Sequence, residues 1–194
     1  MAIRIACTQD AQALLDIYQA YIDTSITFEY DLPSVSEFTN RISSTLTRYP
    51  YLVWEENGVV LGYAYAHPER ERQAYQWNAE LSIYLAPTAV GRGVGRKLYL
   101  TLMDLLRLQG VKTVYGVVTS PNPASEGLHT ALGFRLLGVH RNTGYKNGQW
   151  HDVLWFEKPL SPYCQNPEPV IPFPQLDATQ VTNLLNSYTS PVTQ

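Results

Sequence analysis

Cysteine is scarce. The chain carries 2, Cys7 and Cys164, too few for a disulfide framework or a cysteine metal cluster, and no metal is expected. Cys7 stands in an apolar opening stretch and reads as a small buried hydrophobe. Long apolar runs are also missing: none is long enough to span a bilayer, so no membrane partner is expected. Thr8, Gln9 and Asp10 interrupt the opening residues before a signal-peptide length is reached, and a cytoplasmic location is the expectation. Excess positive charge is absent as well. With 14 Lys and Arg against 17 Asp and Glu, the net charge of -3 argues against a nucleic-acid partner. There is no internal repeat. What the chain has is 45% hydrophobic residues in a length of 194, enough for one folded domain with a real core. It also has 14 tyrosines, which suit half-buried strands and polar pockets.

The hydrophobic pattern predicts a short strand over Ile3 to Cys7 and a helix from Asp10 to about Tyr21, with Ala13, Leu14, Ile17 and Tyr21 on one face. Ser34 caps a second helix whose apolar side is Val35, Phe38, Ile42 and Leu46, closed by Pro50. A hairpin follows, Tyr51 to Trp54 with Val59 to His67, turning on Asn57-Gly58. After a charged loop from Pro68 to Gln76 comes a strand over Asn78 to Leu85, in which Ala79, Leu81, Ile83 and Leu85 alternate with Glu80, Ser82 and Tyr84. Residues from about Gly93 to Gln109 read as a helix with Val94, Leu98, Leu102, Leu105 and Leu106 inside and Gly110 as its stop. Thr113 to Val118 is a buried strand. Asn122 caps a helix opened by Pro123 and ended before Gly133. A last hairpin joins Phe134 to Tyr145 with Gln149 to Glu157. This order implies an α/β (α+β) domain over residues 1–160, with a central mixed, mostly antiparallel sheet flanked by helices on both faces. Residues 161–194 form a proline-rich tail, extended at first, with a short helix over 177–188 signalled by Asp177, Gln180 and the apolar Val181, Leu184, Leu185 and Tyr188. Docking on the domain or on a partner subunit, and disorder, are the alternatives for that segment.

The strongest local signal is Val90-Gly91-Arg92-Gly93-Val94-Gly95-Arg96, set between a strand and a long helix. Glycines let backbone N–H groups approach a ligand, and a helix N-terminus adds unsatisfied donors and the positive end of its dipole. A phosphate or pyrophosphate fits such a loop, with Arg92 and Arg96 available as added charge. An NTPase phosphate loop would need Gly-Lys-Ser/Thr, whereas Gly95 is followed by Arg96-Lys97-Leu98. A dinucleotide fingerprint would need a glycine where Arg96 stands, in a parallel unit opening the domain. A tight turn alone does not call for three alternating glycines.

These residues resemble the GNAT acetyltransferase superfamily, whose Gln/Arg-x-x-Gly-x-Gly/Ala signature is matched at Gly93 and Gly95 and departed from at Val90. The chain is more closely similar to the phosphinothricin and methionine-sulfone N-acetyltransferase branch. That likeness rests on Arg72-Gln73-Ala74-Tyr75, Ala79-Glu80, Gly93-Val94-Gly95, Asn122, Leu128 to Phe134, and Gly144 to Asp152. The resemblance implies the GNAT fold, acetyl-CoA as cosubstrate, a small-molecule amine as acceptor and a homodimer. It implies that Gly91 to Arg96 holds the pyrophosphate and that Ile83, Tyr84 and Leu85 pair by backbone with the pantetheine arm, with Asn122 and Ser125 beside it.

An amine must lose its proton before it attacks a thioester, and a nearby carboxylate can take it. Glu80, in an otherwise apolar strand and at the branch's glutamate position, is the candidate base for direct transfer; a solvated strand carboxylate is the alternative. His129 matches a family histidine that could relay a proton or hold the cofactor, and it reads equally as a satisfied structural side chain. Backbone N–H groups near Ile83 to Leu85 would receive the oxyanion. Arg72 and Tyr75 match the substrate-side loop, and Phe28 an aromatic wall. Glu29 stands where herbicide-detoxifying relatives usually carry Arg, which speaks against efficient phosphinothricin acetylation and for another side chain, such as a sulfone or sulfoximine. Trp150, His151 and Asp152 fit the last hairpin, where Trp150 reads as core packing, with a role in the dimer or in closing the pocket as the alternative. Two further functions share this fold, a protein or peptide acetyltransferase and a non-catalytic acyl-CoA sensor.

Overall fold

The computed structural model describes residues 1–189; the end of the tail, residues 190–194, lies outside the described residues. Strands β1 (Ala2–Ile5), β2 (Tyr51–Glu56), β3 (Val59–Pro68), β4 (Asn78–Leu85), β5 (Thr113–Ser120), β6 (Arg135–Lys146) and β7 (Gln149–Pro159) form one sheet. Their order is β1-β2-β3-β4-β5-β7-β6. Every neighbouring pair is antiparallel except β4 and β5. Both hairpins turn on Asn-Gly, Asn57-Gly58 and Asn147-Gly148, with all four residues at positive φ, as the twist of the flanking strands favours.

Helices cover both faces. On one side α1 (Ala11–Ile22) and α2 (Val35–Leu46) bury Leu14, Tyr18, Phe38 and Ile42 against Tyr51, Val53 and Tyr63. On the other, α3 (Val94–Gln109) buries Leu98, Leu102, Leu105 and Leu106 against Leu52, Ala64, Leu81 and Val114. Ser34 and Glu37 close a capping box at the start of α2. Gly110, at φ +92°, ends α3. α4 (Pro123–Ala131) starts on Asn122, whose side chain accepts from Ser125 N–H at 3.2 Å.

The tail runs back over the α3 face. Ile171 N–H donates to Gln109 O at 2.8 Å and Phe173 N–H to Arg48 O at 3.1 Å. Trp77 Nε1 donates to Glu168 O at 2.9 Å. The final helix, α5 (Ala178–Thr189), sets Val181, Leu184, Leu185 and Tyr188 on the main core, and Tyr188 Oη donates to Asp104 at 2.5 Å.

Two expectations are corrected. The first strand ends at Ile5, and Cys7 is exposed at the cap of a 3₁₀ turn over Thr8–Asp10, where its N–H donates to Asp10 at 2.8 Å. Trp150 is 60% exposed, because it sits near the tip of the outermost hairpin, where its ring meets that of Tyr145 edge-on.

Candidate active site

β4 and β5 pair from Asn78↔Thr113 to Leu81↔Gly116. Beyond that point the two strands separate, and a cavity of about 320 Å³ opens between them. Ile83, Leu85, Val117, Thr119, Asn122 and Ser125 line it. Ala86 N–H donates to Leu61 O at 2.8 Å, so the alternation of the β3–β4 ladder turns the amides of Leu81, Ile83 and Leu85 toward β5. Leu81 continues the pairing with β5. The Leu85 carbonyl accepts from Tyr21 Oη at 2.5 Å. The Ile83 main chain thus faces the gap with no further strand beside it.

The glycine loop lies at one end of this gap. Gly91 and Gly93 have φ of +77° and +79°, and nothing stands within 4 Å of where a Cβ would be, so the backbone there is uncovered. Gly93 is the N-cap of α3. Gly95 is packed instead: a Cβ would lie 3.4 Å from Ile83 and 3.5 Å from Leu128 and Leu85. Arg92 gives both oxygens of Glu56 a hydrogen bond at 2.8 Å, and Arg96 Nη1 reaches Ala131 O at 3.5 Å. Val90 lines the cavity mouth.

Glu80 sits on the opposite face of β4 from Leu81, with His67 of β3 and Tyr115 of β5 as its register neighbours. His67 Nε2 lies 3.6 Å from Glu80 Oε1. Burial raises the Glu80 carboxyl above its ordinary value and outweighs the pull of His67 in the other direction, while Glu69 adds to the rise. A half-buried carboxylate whose affinity for a proton is raised by burial is suited to accept one.

His129 is only 1% exposed. Its ring stacks on Phe156 and meets Phe134 and Tyr99 edge-on. Nδ1 donates to Ser125 O at 2.8 Å, which leaves Nε2 the acceptor of the ring. Nε2 is buried without a partner, over Gly116, and burial lowers the imidazole's pKa. Strand alternation puts His129 and Glu80 on opposite faces of the sheet.

The four substrate-side residues do not share one pocket. Tyr75 borders a cavity with Glu69, Arg70, Asn78 and Tyr115, and the Arg70 guanidinium lies over its ring. Arg72 is exposed at the cap of the 3₁₀ turn Gln73–Tyr75 and is absent from that lining. Glu29 lines a separate cavity of about 390 Å³ with Arg41, Tyr65, His67 and Tyr84. Phe28 is wedged against Gly144, where a Cβ would fall 2.2 Å from its ring, and against His151. Tyr84 contributes only backbone to the β4–β5 side; its ring packs on Tyr18, Tyr21 and Tyr63. Sequence reading missed Tyr21, His67 and Arg41. The hairpin register pairing His67 with Glu80 was the one available signal for any of them.

The family described as acetyltransferase (GNAT) domain matches residues 3–155. A phosphinothricin N-acetyltransferase of Streptomyces viridochromogenes is 39% identical over 90% of this chain and 95% of its own. An L-methionine sulfoximine/L-methionine sulfone acetyltransferase of Salmonella typhimurium is 33% identical over 84% of this chain and 97% of its own. Among solved structures, a GNAT superfamily phosphinothricin acetyltransferase of Sinorhizobium meliloti, in complex with AcCoA, superposes with a TM-score of 0.81. It is 34% identical and covers 88% of this chain and 97% of its own.

Proposed function

This chain belongs to the GNAT acetyltransferase family, and we propose that it moves the acetyl group of acetyl-CoA directly to the amino group of a small amino-acid-like molecule of the phosphinothricin, methionine sulfone or methionine sulfoximine type. One observation carries the reading: a half-buried carboxylate, Glu80, stands on β4 next to the point where that strand parts from β5.

The residues present fit the cosubstrate. The uncovered backbone at Gly91 and Gly93, with the first turn of α3 behind it, suits a diphosphate. Arg96 is the freer source of added charge, since Arg92 is engaged by Glu56. The Ile83 main chain offers a strand edge to an amide-bearing arm, with Asn122 and Ser125 across the gap. When bound there, acetyl-CoA supplies the activated acetyl group as a thioester.

Glu80 takes the proton of the incoming ammonium group, and His67 beside it favours the charged carboxylate. The Ile83 N–H faces the gap where an oxyanion would form. Tyr21 Oη, at Leu85 O, is the hydroxyl at the end of β4 and our candidate to return a proton to the departing thiolate. His129, caged by aromatic rings, positions α4 against β5 rather than relaying protons to Glu80.

A homodimer belongs to the same reading. Leu137 and Trp150 are exposed on the outer hairpin, and β6 is one of the two edge strands of the sheet. So does a cytoplasmic setting, which suits two exposed free cysteines.

The test is thiol release from acetyl-CoA with a panel of free amino acids, methionine sulfone, methionine sulfoximine, phosphinothricin and peptides. Glu80→Gln should lose about 100-fold or more in turnover while keeping its affinity for coenzyme A. Undiminished turnover would remove Glu80 from the mechanism. Acetylation of peptides alone would replace the small-molecule reading, and binding without turnover of any amine would leave a sensor.

A further inference from the structure

The second cavity beside Glu80 lies between α1, α2 and the tyrosine-bearing face of β3 and β4. At one end stands His67, the register neighbour of Glu80. Tyr65, opposite Ser82, forms the wall next to it. Arg41 of α2, also in the lining, pairs with Glu29 of the α1–α2 loop, Nη1 to Oε1 at 2.8 Å.

Two polar atoms lining this cavity are buried and have no hydrogen-bond partner: Glu29 Oε2 and Tyr63 Oη. An orphaned buried polar atom is costly, and the cost vanishes when a ligand supplies the missing partner. Glu29 Oε2, a carboxylate oxygen, needs a donor. Arg41 carries five N–H groups in a planar fork, more than one carboxylate oxygen uses, and so suits an acceptor. The pair is neutral as a unit. An anionic tail would face Glu29, a cationic tail would face Arg41, and an apolar tail would leave both orphaned atoms as they are.

We propose that the Glu29–Arg41 pair reads the far end of the acceptor, whose side chain ends in a neutral group with one hydrogen-bond acceptor beside one N–H donor. A sulfoximine and a primary carboxamide have that arrangement; a sulfone offers acceptors only, and a phosphinate is an anion. The acceptor's oxygen lies on Arg41, its N–H on Glu29 Oε2, and its α-amino group at the His67 end by Glu80. This deepens the N-acetyltransferase reading above and rests on it. It also makes Arg41 a specificity-determining residue.

The experiment compares kcat/KM for L-methionine sulfoximine, L-glutamine, L-methionine sulfone and phosphinothricin on the full chain at saturating acetyl-CoA. Methionine sulfoximine should exceed both methionine sulfone and phosphinothricin by about tenfold or more. L-glutamine, whose carboxamide sets the same acceptor beside an N–H, should also exceed phosphinothricin. Glu29→Arg should reverse the order between methionine sulfoximine and phosphinothricin, with coenzyme A affinity by calorimetry as the check on folding. Equal or better use of phosphinothricin or of methionine sulfone by the unaltered protein would overturn the proposal and leave the acetyltransferase reading intact. An unchanged order in a Glu29→Arg protein that still binds coenzyme A would do the same. If acetyl-CoA binds but no amine in the panel is acetylated, the parent reading falls and takes this one with it.

Discussion

Lys146 Nζ donates to the carbonyl of Thr27 at 2.7 Å and to that of Ile22 at 2.6 Å, tying the tip of the outer hairpin to the α1–α2 loop. The side chain is almost fully buried, at 3% exposure, and burial lowers its pKa. Its neighbours hold the same loop: Asn147 Nδ2 donates to Asp23 O at 3.0 Å, Tyr30 Oη to Tyr145 O, and Phe28 fills the space over Gly144. The run from Gly144 to Gly148 therefore fixes where Phe28 and Glu29 stand. Lys146→Met frees two buried carbonyls and lets that loop drift. The expected outcome is a KM for the acceptor raised roughly tenfold or more, with coenzyme A affinity unchanged, because a small misplacement of a binding group is enough for that loss. Steady-state kinetics with each substrate varied in turn checks it.

The protonation of Glu80 gives a second prediction. A base acts when deprotonated, so kcat/KM rises with pH through the Glu80 pKa, and burial puts that limb above the usual carboxylate value of 4.5. His67 holds the pKa down. Removing it with His67→Asn should move the acid limb to higher pH. A limb that stays in place, or moves down, in the pH profile of that variant would show that another group titrates.

Much of this was legible in the chain, and the reason is local. Asn57-Gly58 and Asn147-Gly148 announce hairpins because few residues accept two consecutive positive φ values. The stripe Val94, Leu98, Leu102 and Leu106 announces α3 because one face must be buried. The uncovered, positive-φ backbone at Gly91 and Gly93 was readable for the same reason of backbone geometry. What escaped depends on contacts between distant segments. Arg41 looks like any exposed helix residue until the α1–α2 loop brings Glu29 to it. Lys146 reads as a turn residue until two carbonyls from the first helix and loop enclose it. Cys7 and Trp150, both apolar in type, read as core residues because composition does not reveal where a strand ends or which hairpin lies outermost.

Gly116 supplies a third prediction. A Cβ at this position would come within 2.1 Å of His129 Nε2, and the ring cannot retreat because Phe134, Phe156 and Tyr99 enclose it. Gly116→Ala must move α4 or β5, which both line the cavity proposed above for coenzyme A. Overpacking of this kind costs about 1–3 kcal/mol. Thermal unfolding should register that loss, and calorimetry should register weaker coenzyme A binding. Adding His129→Ala removes the clash, so the double variant should be more stable than the sum of the two single losses allows.

The fourth prediction concerns acid stability. Arg4 binds Asp10 through two nitrogens, at 2.7 and 2.8 Å, and Cys7 N–H adds a third bond to the carboxylate. Together they join β1 to the start of α1. The Arg4 hydrogen bonds hold the Asp10 carboxyl below its ordinary value of 3.8, against the effect of its burial. A carboxyl whose folded-state pKa is depressed adds stability that is complete above the unfolded value and disappears as pH falls through the folded one. Asp10→Asn should therefore destabilise the protein at neutral pH by about 1–2 kcal/mol, toward the lower end because Arg4 is partly exposed. The gap between variant and parent should hold steady down to about pH 4 and narrow below it. Urea unfolding of both proteins across that range measures it, and a gap that widens in acid would show that the Arg4–Asp10 pair is not what joins these two elements.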